Sequence, residues 1–286
     1  MAIVDVLIPA YTRSGALAAT LTALIAQTFQ DFRVVISDQT EHGDLITAHE
    51  VVAATRILRA QGNPVEVHKH LPRYGLAEQR HFLLSRATAP YVLFIDDDII
   101  LEYDMIARLL KAMYEERCGF VGAAVIGLSF IDDERPHQQH IEFWDGPVRP
   151  EVIRPDTPEW ERYRLHNAAN IYHLQRRLGL TPQTQRKYRV AWVGGCTLYN
   201  TDKLRDVGGF NFWRELPPEH CGEDVLAQIR VMARYGGCGI IPSGAYHQEL
   251  PTTLPDRSVN APRVLSLEPE TNGQWSAASG RWVSGN

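Results

Sequence analysis

Short apolar runs alternating with stretches of helical periodicity organise the first half of the chain. Ile3–Ile8 reads as a buried strand that Pro9 ends. Between Gly15 and Thr28, apolar residues fall at Leu17, Leu21, Leu24 and Ile25, the spacing of one helix face. Phe32–Ile36 predicts a second strand, followed by the polar turn Ser37-Asp38-Gln39-Thr40. A helix over Leu45–Ala60 meets the breaker Gly62-Asn63-Pro64, and a third strand follows at Val65–His68. Leu76–Ala87 is helical, and Tyr91–Ile95 is an apolar strand running straight into Asp96-Asp97-Asp98.

Strand and helix in alternation, with hydrophobic strands, predict an α/β fold whose central sheet is mostly parallel and flanked by helices. Ligands of such sheets sit at the carboxyl ends of the strands. The polar strand ends Pro9–Arg13, Ser37–Thr40 and Asp96–Asp98 therefore predict one cleft. Strong apolar runs thin out over 129–189, where prolines, arginines and aromatics such as Phe143, Trp144, Trp160, Tyr163, Tyr172 and Tyr188 take over. This reads as a helical, loop-rich excursion on the cleft side of a single domain spanning 1–250. Apolar patterning returns at Val190–Tyr199, then a helix over Glu223–Tyr235 and a strand at Cys238–Ile241. Residues 251–286 have little periodicity and read as a C-terminal extension that wraps the surface or frays.

Composition narrows the class. A chain of 286 residues, 44% hydrophobic and 22% charged, is long enough to bury a substantial core. Its net charge of −5, with no basic stripe, argues against a dedicated nucleic-acid binder. No apolar segment has the length of a membrane span, and the N-terminus lacks the flanks of a signal peptide. The four cysteines form no C-x-x-C pair, which fits reduced thiols and a cytoplasmic location. Peripheral association with the inner face of the membrane stays open.

The chemistry concentrates at the acidic triplet. Three adjacent carboxylates repel one another and suit a strand end that holds a cation. In extended chain Asp96 and Asp98 converge while Asp97 points away. Oxygen ligands of this kind suit a hard divalent ion that also grips phosphates. The alternatives are a solvated acidic loop or a cap for the helix starting near Asp104. Elsewhere His68 and His70 share a strand face, and His137 and His140 form an H-x-x-H. Neither set has carboxylates at zinc spacing, so both read as structural or solvated.

Taken in order, the landmarks resemble the family 2 glycosyltransferases, which have the GT-A fold. Pro9-Ala10-Tyr11-Thr12-Arg13 is similar to the family's P-x-Y-N-R start, and Gln27–Phe32 to its Q-T-(Y/F)-x-(D/N)-(F/W/Y) turn. Tyr74–His81 resembles the G-L-A-x-A-R-N segment, and Asp96–Asp98 stands at the D-x-D motif. Gly208-Gly209-Phe210 and Gly222-Glu223-Asp224 resemble the acceptor-side G-G-F and E-D motifs. The likeness covers about residues 1–250.

That resemblance implies a metal-dependent, inverting transferase that moves a single hexose from a nucleotide sugar to a hydroxyl on a glycan, lipid-linked or small-molecule acceptor. It implies donor contacts at Pro9, Tyr11, Arg13, Asp38, Gln39, Arg80, Asp96 and Asp97. Asp98 would bind manganese or magnesium, with His247 as a candidate further ligand. Asp224 would be the general base, with Glu223 raising its pKa or orienting the acceptor. Read on their own, Glu223-Asp224 are equally the acidic first turn of a helix, Arg80 a surface partner of Glu78 or Asp96, and His247 a satisfied loop residue.

Several positions depart from the family pattern. Asp38-Gln39 stands where an Asp pair is usual; Gln39 still accepts a base N–H but also donates, so UDP is the default donor while dTDP and GDP stay open. Thr12, Arg73 and His81 replace asparagines. The Q-x-x-R-W run of the processive synthases is absent, which favours transfer of one sugar. A sugar-phosphate nucleotidyltransferase would need a Gly-rich phosphate loop after strand 1, and Ala10–Gly15 is a poor match. A non-catalytic module would lack the metal carboxylate or the base, and Asp98 and Asp224 are both present.

Overall fold

The computed structural model describes residues 2–254 and 256–268, and the strands Gly273–Ser276 and Arg281–Ser284 as backbone. The strands are β1 Val4–Ala10, β2 Phe32–Asp38, β3 Val65–Lys69, β4 Tyr91–Ile95, β5 Ile99–Leu101, β6 Phe120–Gly122, β7 Val125–Ile126, β8 Arg186–Tyr188, β9 Cys196–Asn200, β10 Gly237–Ile241 and β11 Ala245–His247. The helices are α1 Ser14–Ile25, α2 His49–Ala60, α3 Leu76–Arg86, α4 Met105–Glu116, α5 Asn170–Arg177, α6 Thr201–Asp206, α7 Glu223–Tyr235 and α8 Ala261–Val264.

An eight-stranded sheet runs in the order β3-β2-β1-β4-β9-β6-β10-β8. The pairs β2/β3, β1/β2, β1/β4 and β6/β10 are parallel; β9 runs antiparallel to β4 and β6, and β8 to β10. Every residue of β1 is buried, because helices cover both faces of the sheet. Val4, Val6 and Ile8 enter one core with Leu17 and Leu21 of α1, Leu58 of α2 and Leu109 of α4. Leu7 enters the other with Leu83 of α3, Leu204 of α6 and Leu226 of α7. The polar exception, Asp5, is fully buried and satisfied: Arg33 reaches it at 2.7 and 2.9 Å, and the Thr88 and Ala89 amides donate to it at 2.6 and 3.0 Å.

Three sequence expectations shift. β1 continues through Pro9 to Ala10, paired with Ser37 and Asp38 of β2; Pro9 is tolerated because pairing with β4 has already ended at Leu7. The helix expected over 45–60 begins as a single tight turn at Leu45–Thr47 and restarts at His49 after the extended Ala48. Of the apolar stretch 190–199, only Cys196 onward is strand, and Val190–Gly195 is irregular chain that buries Val190, Ala191 and Val193. The excursion carries α5, β8 and several short turns around a core of Ile153, Trp160, Leu165, Ile171 and Leu174. Residues 256–268 lie back on the domain: the Cys221 amide donates to Val259, the Ala261 amide donates to Cys221, and α8 packs on α7. Of the predicted extension 251–286, residue 255 and those beyond 268 lie outside the described residues, apart from two paired strands. Among the described residues no helix is long and apolar enough to cross a membrane.

Candidate active site

A cleft of about 750 Å³ opens at the carboxyl ends of β1, β2 and β4. One wall is built from those strand ends and the start of α3. Gln79 of α3 donates to the Ala10 and Ser37 carbonyls at 3.3 and 2.8 Å, stapling the helix beneath β1 and β2. Beyond β1 the Tyr11 amide donates to Asp97 Oδ2 at 3.2 Å and the Thr12 amide to Thr40 Oγ1 at 2.9 Å. The Arg73 guanidinium lies 3.8 Å from the Tyr11 ring centroid.

The acidic triplet forms a turn between β4 and β5, so the alternation of extended chain does not apply. Asp97 points inward instead of away. It is buried, and burial pushes its pKa up to about 7, with Asp98 adding to the rise and the Tyr11 amide and Arg13 opposing it. Asp98 accepts from Arg13 Nη1 at 2.7 Å and faces His247 Nε2 at 3.4 Å. Burial raises its pKa too, against the pull of His247. Asp96, half-exposed, takes Arg80 Nη2 at 2.8 Å.

Arg80 joins the two walls. Its Nε donates to Glu223 Oε1 at 3.0 Å, and its guanidinium lies 5.5 Å from the Phe94 ring centroid. Burial alone would lower its pKa, but Asp96, Glu223 and Asp224 outweigh that and hold it charged. Glu223 is buried at the start of α7, and desolvation raises its pKa against the pull of Arg80. Burial, then the neighbouring Glu223, push Asp224 up to about 7, with Arg80 opposing. Gly194 forms the wall opposite Asp224; a Cβ there would stand 3.7 Å from Asp224 Oδ2. Gly222 before α7 has φ +76°, and a Cβ on it would meet Asn260 Oδ1 at 2.6 Å. The aromatic Trp192 completes this side, stacked at 5.2 Å on Tyr163 and 4.7 Å from Trp160.

A divalent cation fits this site in part. Among the described residues no three His, Cys, Asp or Glu side chains form a cage. Asp98 and His247 stand 3.4 Å apart, which supplies two protein donors and leaves the remaining positions to phosphate oxygens and water, the habit of a hard ion at a nucleotide site.

A model of the glycosyl transferase family 2 matches residues 5–181, more than half of the chain. The chain belongs to that family. Crystal structures of S. aureus TarS 1–349 have a similar fold, with TM-score 0.54 at 15% identity, over 86% of this chain and 60% of that one. The same protein in complex with UDP-GlcNAc gives TM-score 0.51 at 16% identity, over 89% of this chain and 60% of that one. At such identities the likeness is one of fold, GT-A, and this chain spans about three fifths of the TarS fragment's length. No curated protein matches the chain by sequence.

Of the residues singled out from sequence, this family 2 chain brings Pro9, Tyr11, Arg13, Gln39, Arg80, Asp96, Asp97, Asp98, Glu223, Asp224 and His247 to the one cleft. Asp38 is elsewhere. It is fully buried and organises the loop after β2, accepting from the Thr40 amide at 2.8 Å, the Leu45 amide at 3.3 Å and Lys69 Nζ at 3.1 Å. Glu78, a possible partner of Arg80 by sequence, pairs instead with His70 at 2.8 Å. His70 is therefore structural, stacked on Phe82.

Sequence reasoning missed Trp192, Leu250, Thr252, Thr253, Leu254 and Arg257 as parts of the site, and His220 as a buried support beside it. His220 Nε2 accepts from the Ala77 amide at 3.1 Å and Nδ1 donates to the Pro217 carbonyl at 2.7 Å, so the segment before α7 satisfies an orphan donor of α3. Nothing local marks it. Gly194-Gly195 beside Trp192 was a usable signal, since paired glycines in an apolar run mark a close approach.

Proposed function

We propose that this chain transfers one hexose from a nucleoside diphosphate sugar, a UDP-sugar by default, to a hydroxyl of a glycan, lipid-linked or small-molecule acceptor, with inversion at the anomeric carbon. The observation that carries the reading is Asp224, raised to about 7 in a cleft it shares with Asp96 and Asp98. A carboxylate of that pKa is deprotonated in a useful fraction at neutral pH and still basic enough to take an acceptor proton. Arg80 holds Asp96 and Glu223 in place, so the base and the donor side keep a set separation. Trp192 and Tyr163 offer an apolar face on which an acceptor ring can lie.

In this reading Asp224 removes the acceptor proton as the acceptor oxygen attacks the anomeric carbon and the nucleoside diphosphate departs. Asp98 and His247 would hold manganese or magnesium, which supplies Lewis-acid stabilisation of the departing diphosphate. Tyr11 and Gln39, which line the cleft, would meet the nucleoside end of the donor in this reading. The UDP-GlcNAc complex of TarS supports a uridine donor by likeness of fold. Isothermal titration with UDP, GDP and dTDP, each with manganese and with chelator, tests the site. Metal-dependent binding of one nucleotide is expected; a folded protein that binds none of them overturns the reading.

A further inference from the structure

The turn that presents Asp224 is held from outside the helix it begins. Gly222 has the left-handed φ of +76°, and no side chain caps the start of α7. The direction in which Glu223 and Asp224 leave the turn is therefore set by what packs against it.

That support comes from residues 259–262. The Cys221 amide donates to the Val259 carbonyl at 2.9 Å and the Ala261 amide donates to the Cys221 carbonyl at 2.8 Å, so one short parallel bridge takes both backbone groups of Cys221. Asn260 and Pro262 close over Gly222 itself: a Cβ there would stand 2.6 Å from Asn260 Oδ1 and 2.9 Å from Pro262 Cδ. Ala261 and Pro262 are buried, and Val259 packs on the core. Further along α7, Arg230 Nη2 donates to the Ser266 carbonyl at 2.8 Å, so the segment follows the helix as well as its start. Cys221, Gly222, Glu223 and Asp224 all line the cleft. The family match ends at residue 181, and both the turn and its support lie beyond it.

We propose that Asn260 and Ala261 are positioning residues for the transfer reaction, holding the Gly222 turn and so aiming the Asp224 carboxylate into the cleft. The inference rests on the reading of Asp224 as the general base, and the experiment separates the two. Val259-Asn260-Ala261-Pro262 carries no charge. The titratable and charged groups that face Asp224 are Glu223 and Cys221 beside it, Arg80 of α3, Asp96 after β4 and Tyr199 of β9. A substitution in the segment thus acts on Asp224 by letting the turn move, not by removing a charge.

Ala261→Pro in the full chain cuts the bridge. Asn260 is already extended, as the residue before a proline prefers, and Ala261 opens α8, where proline is tolerated. Cys221 is the one cysteine that is not buried, so a thiol reagent such as dithionitrobenzoate reports on the turn. Its reaction is about tenfold faster in Ala261→Pro than in wild type. Arg263→Gln, which removes the exposed pair with Asp156, stays at the wild-type rate. The second readout is the gap in melting temperature between Asp224 and Asp224→Asn at pH 8, measured in each background. A segment that only stabilised the fold would lower both members equally and leave the gap as it was. The gap falls to about half or less in Ala261→Pro, because a carboxylate free to turn toward water is less destabilised, and it is unchanged in Arg263→Gln. Asn260→Ala keeps every backbone bond of the bridge; it shifts both readouts the same way by a smaller step, and it decides the test if the proline variant does not fold. An unchanged gap or unchanged thiol reactivity in the folded variants overturns the inference and leaves Asp224 as the base. Absence of any gap in wild type at pH 8 overturns both.

Discussion

The two walls of the cleft are built by different rules. On the donor side, Pro9–Arg13, Gln39 and Asp96–Asp98 each follow directly on a buried parallel strand. Strand registry delivers them to one edge, since Ala10 pairs with Asp38 and Leu7 with Phe94. On the opposite side, Trp192, Gly194, Asp224 and His247 come from irregular chain, a helix start and a short strand, and reach the cleft through contacts across long stretches of sequence. Arg80 is where the walls meet, with Asp96 on one side and Glu223 on the other. The first wall is a consequence of the sheet; the second is a consequence of packing, and packing is the easier to break.

Asp224→Asn tests the packed wall most severely. Transfer falls 10²- to 10⁴-fold, the usual worth of a general base, while titration shows donor affinity retained. An initial rate within tenfold of wild type would move the base elsewhere. The same variant has a stability signature. A carboxyl whose folded pKa lies near 7, above its unfolded value, contributes stability at low pH that is lost as pH rises through the folded value. The Asn variant therefore melts at a higher temperature than wild type at pH 8. The gap narrows as pH falls below 7 and closes only below the unfolded value near 3.8, where Asp224 is neutral in the unfolded chain too; a gap independent of pH would contradict the raised pKa.

Asp98→Ala tests the strand-delivered wall. Affinity for nucleotide in the presence of manganese drops at least tenfold, and the response to chelator disappears. Unchanged manganese-dependent affinity would place the ion on other residues.

A smaller effect separates the walls by glycine. Gly75 has φ +95°, and a Cβ there would stand 2.5 Å from both His220 Cε1 and the Pro218 carbonyl oxygen. Gly75→Ala thus forces the walls apart and costs about 1–3 kcal/mol by denaturant unfolding. Gly15→Ala on α1, with nothing within 4 Å of the added carbon, is neutral or stabilising by up to about 1 kcal/mol. Equal effects at the two glycines would mean the close approach at His220 does not matter. Smallest of all, His220→Ala removes the acceptor of the Ala77 amide and costs about 1 kcal/mol. No loss of stability in that variant would mean that the His220–Ala77 contact does not tie the walls together.

How legible each part was follows from the same contrast. The strands and their polar ends could be read because apolar runs and acidic ends are local patterns, and the motif order pointed to the family. The direction of Asp97 could not, since a turn rather than extended chain follows Ile95, and only the Tyr11 amide and Arg13 show which way the side chain goes. Asp38 looked like a donor contact because it stands at the first position of the family's Asp pair after strand 2. Its carboxylate is instead consumed by the Thr40 and Leu45 amides and Lys69.

The sequence by itself determined the alternating architecture, the edge of the sheet that carries the cleft, and the family. Hydrophobic periodicity and strand-end polarity are properties of neighbours in the chain, so they survive without coordinates. The tertiary structure alone decided which carboxylates stay buried, how far Asp224 is raised, and that Arg13 sits against Asp98. Those outcomes depend on burial and on charges brought together from distant positions, such as Arg80 with Glu223 and Asp98 with His247. A pKa or an ion pair is a property of an environment, and the environment exists only once the chain has folded.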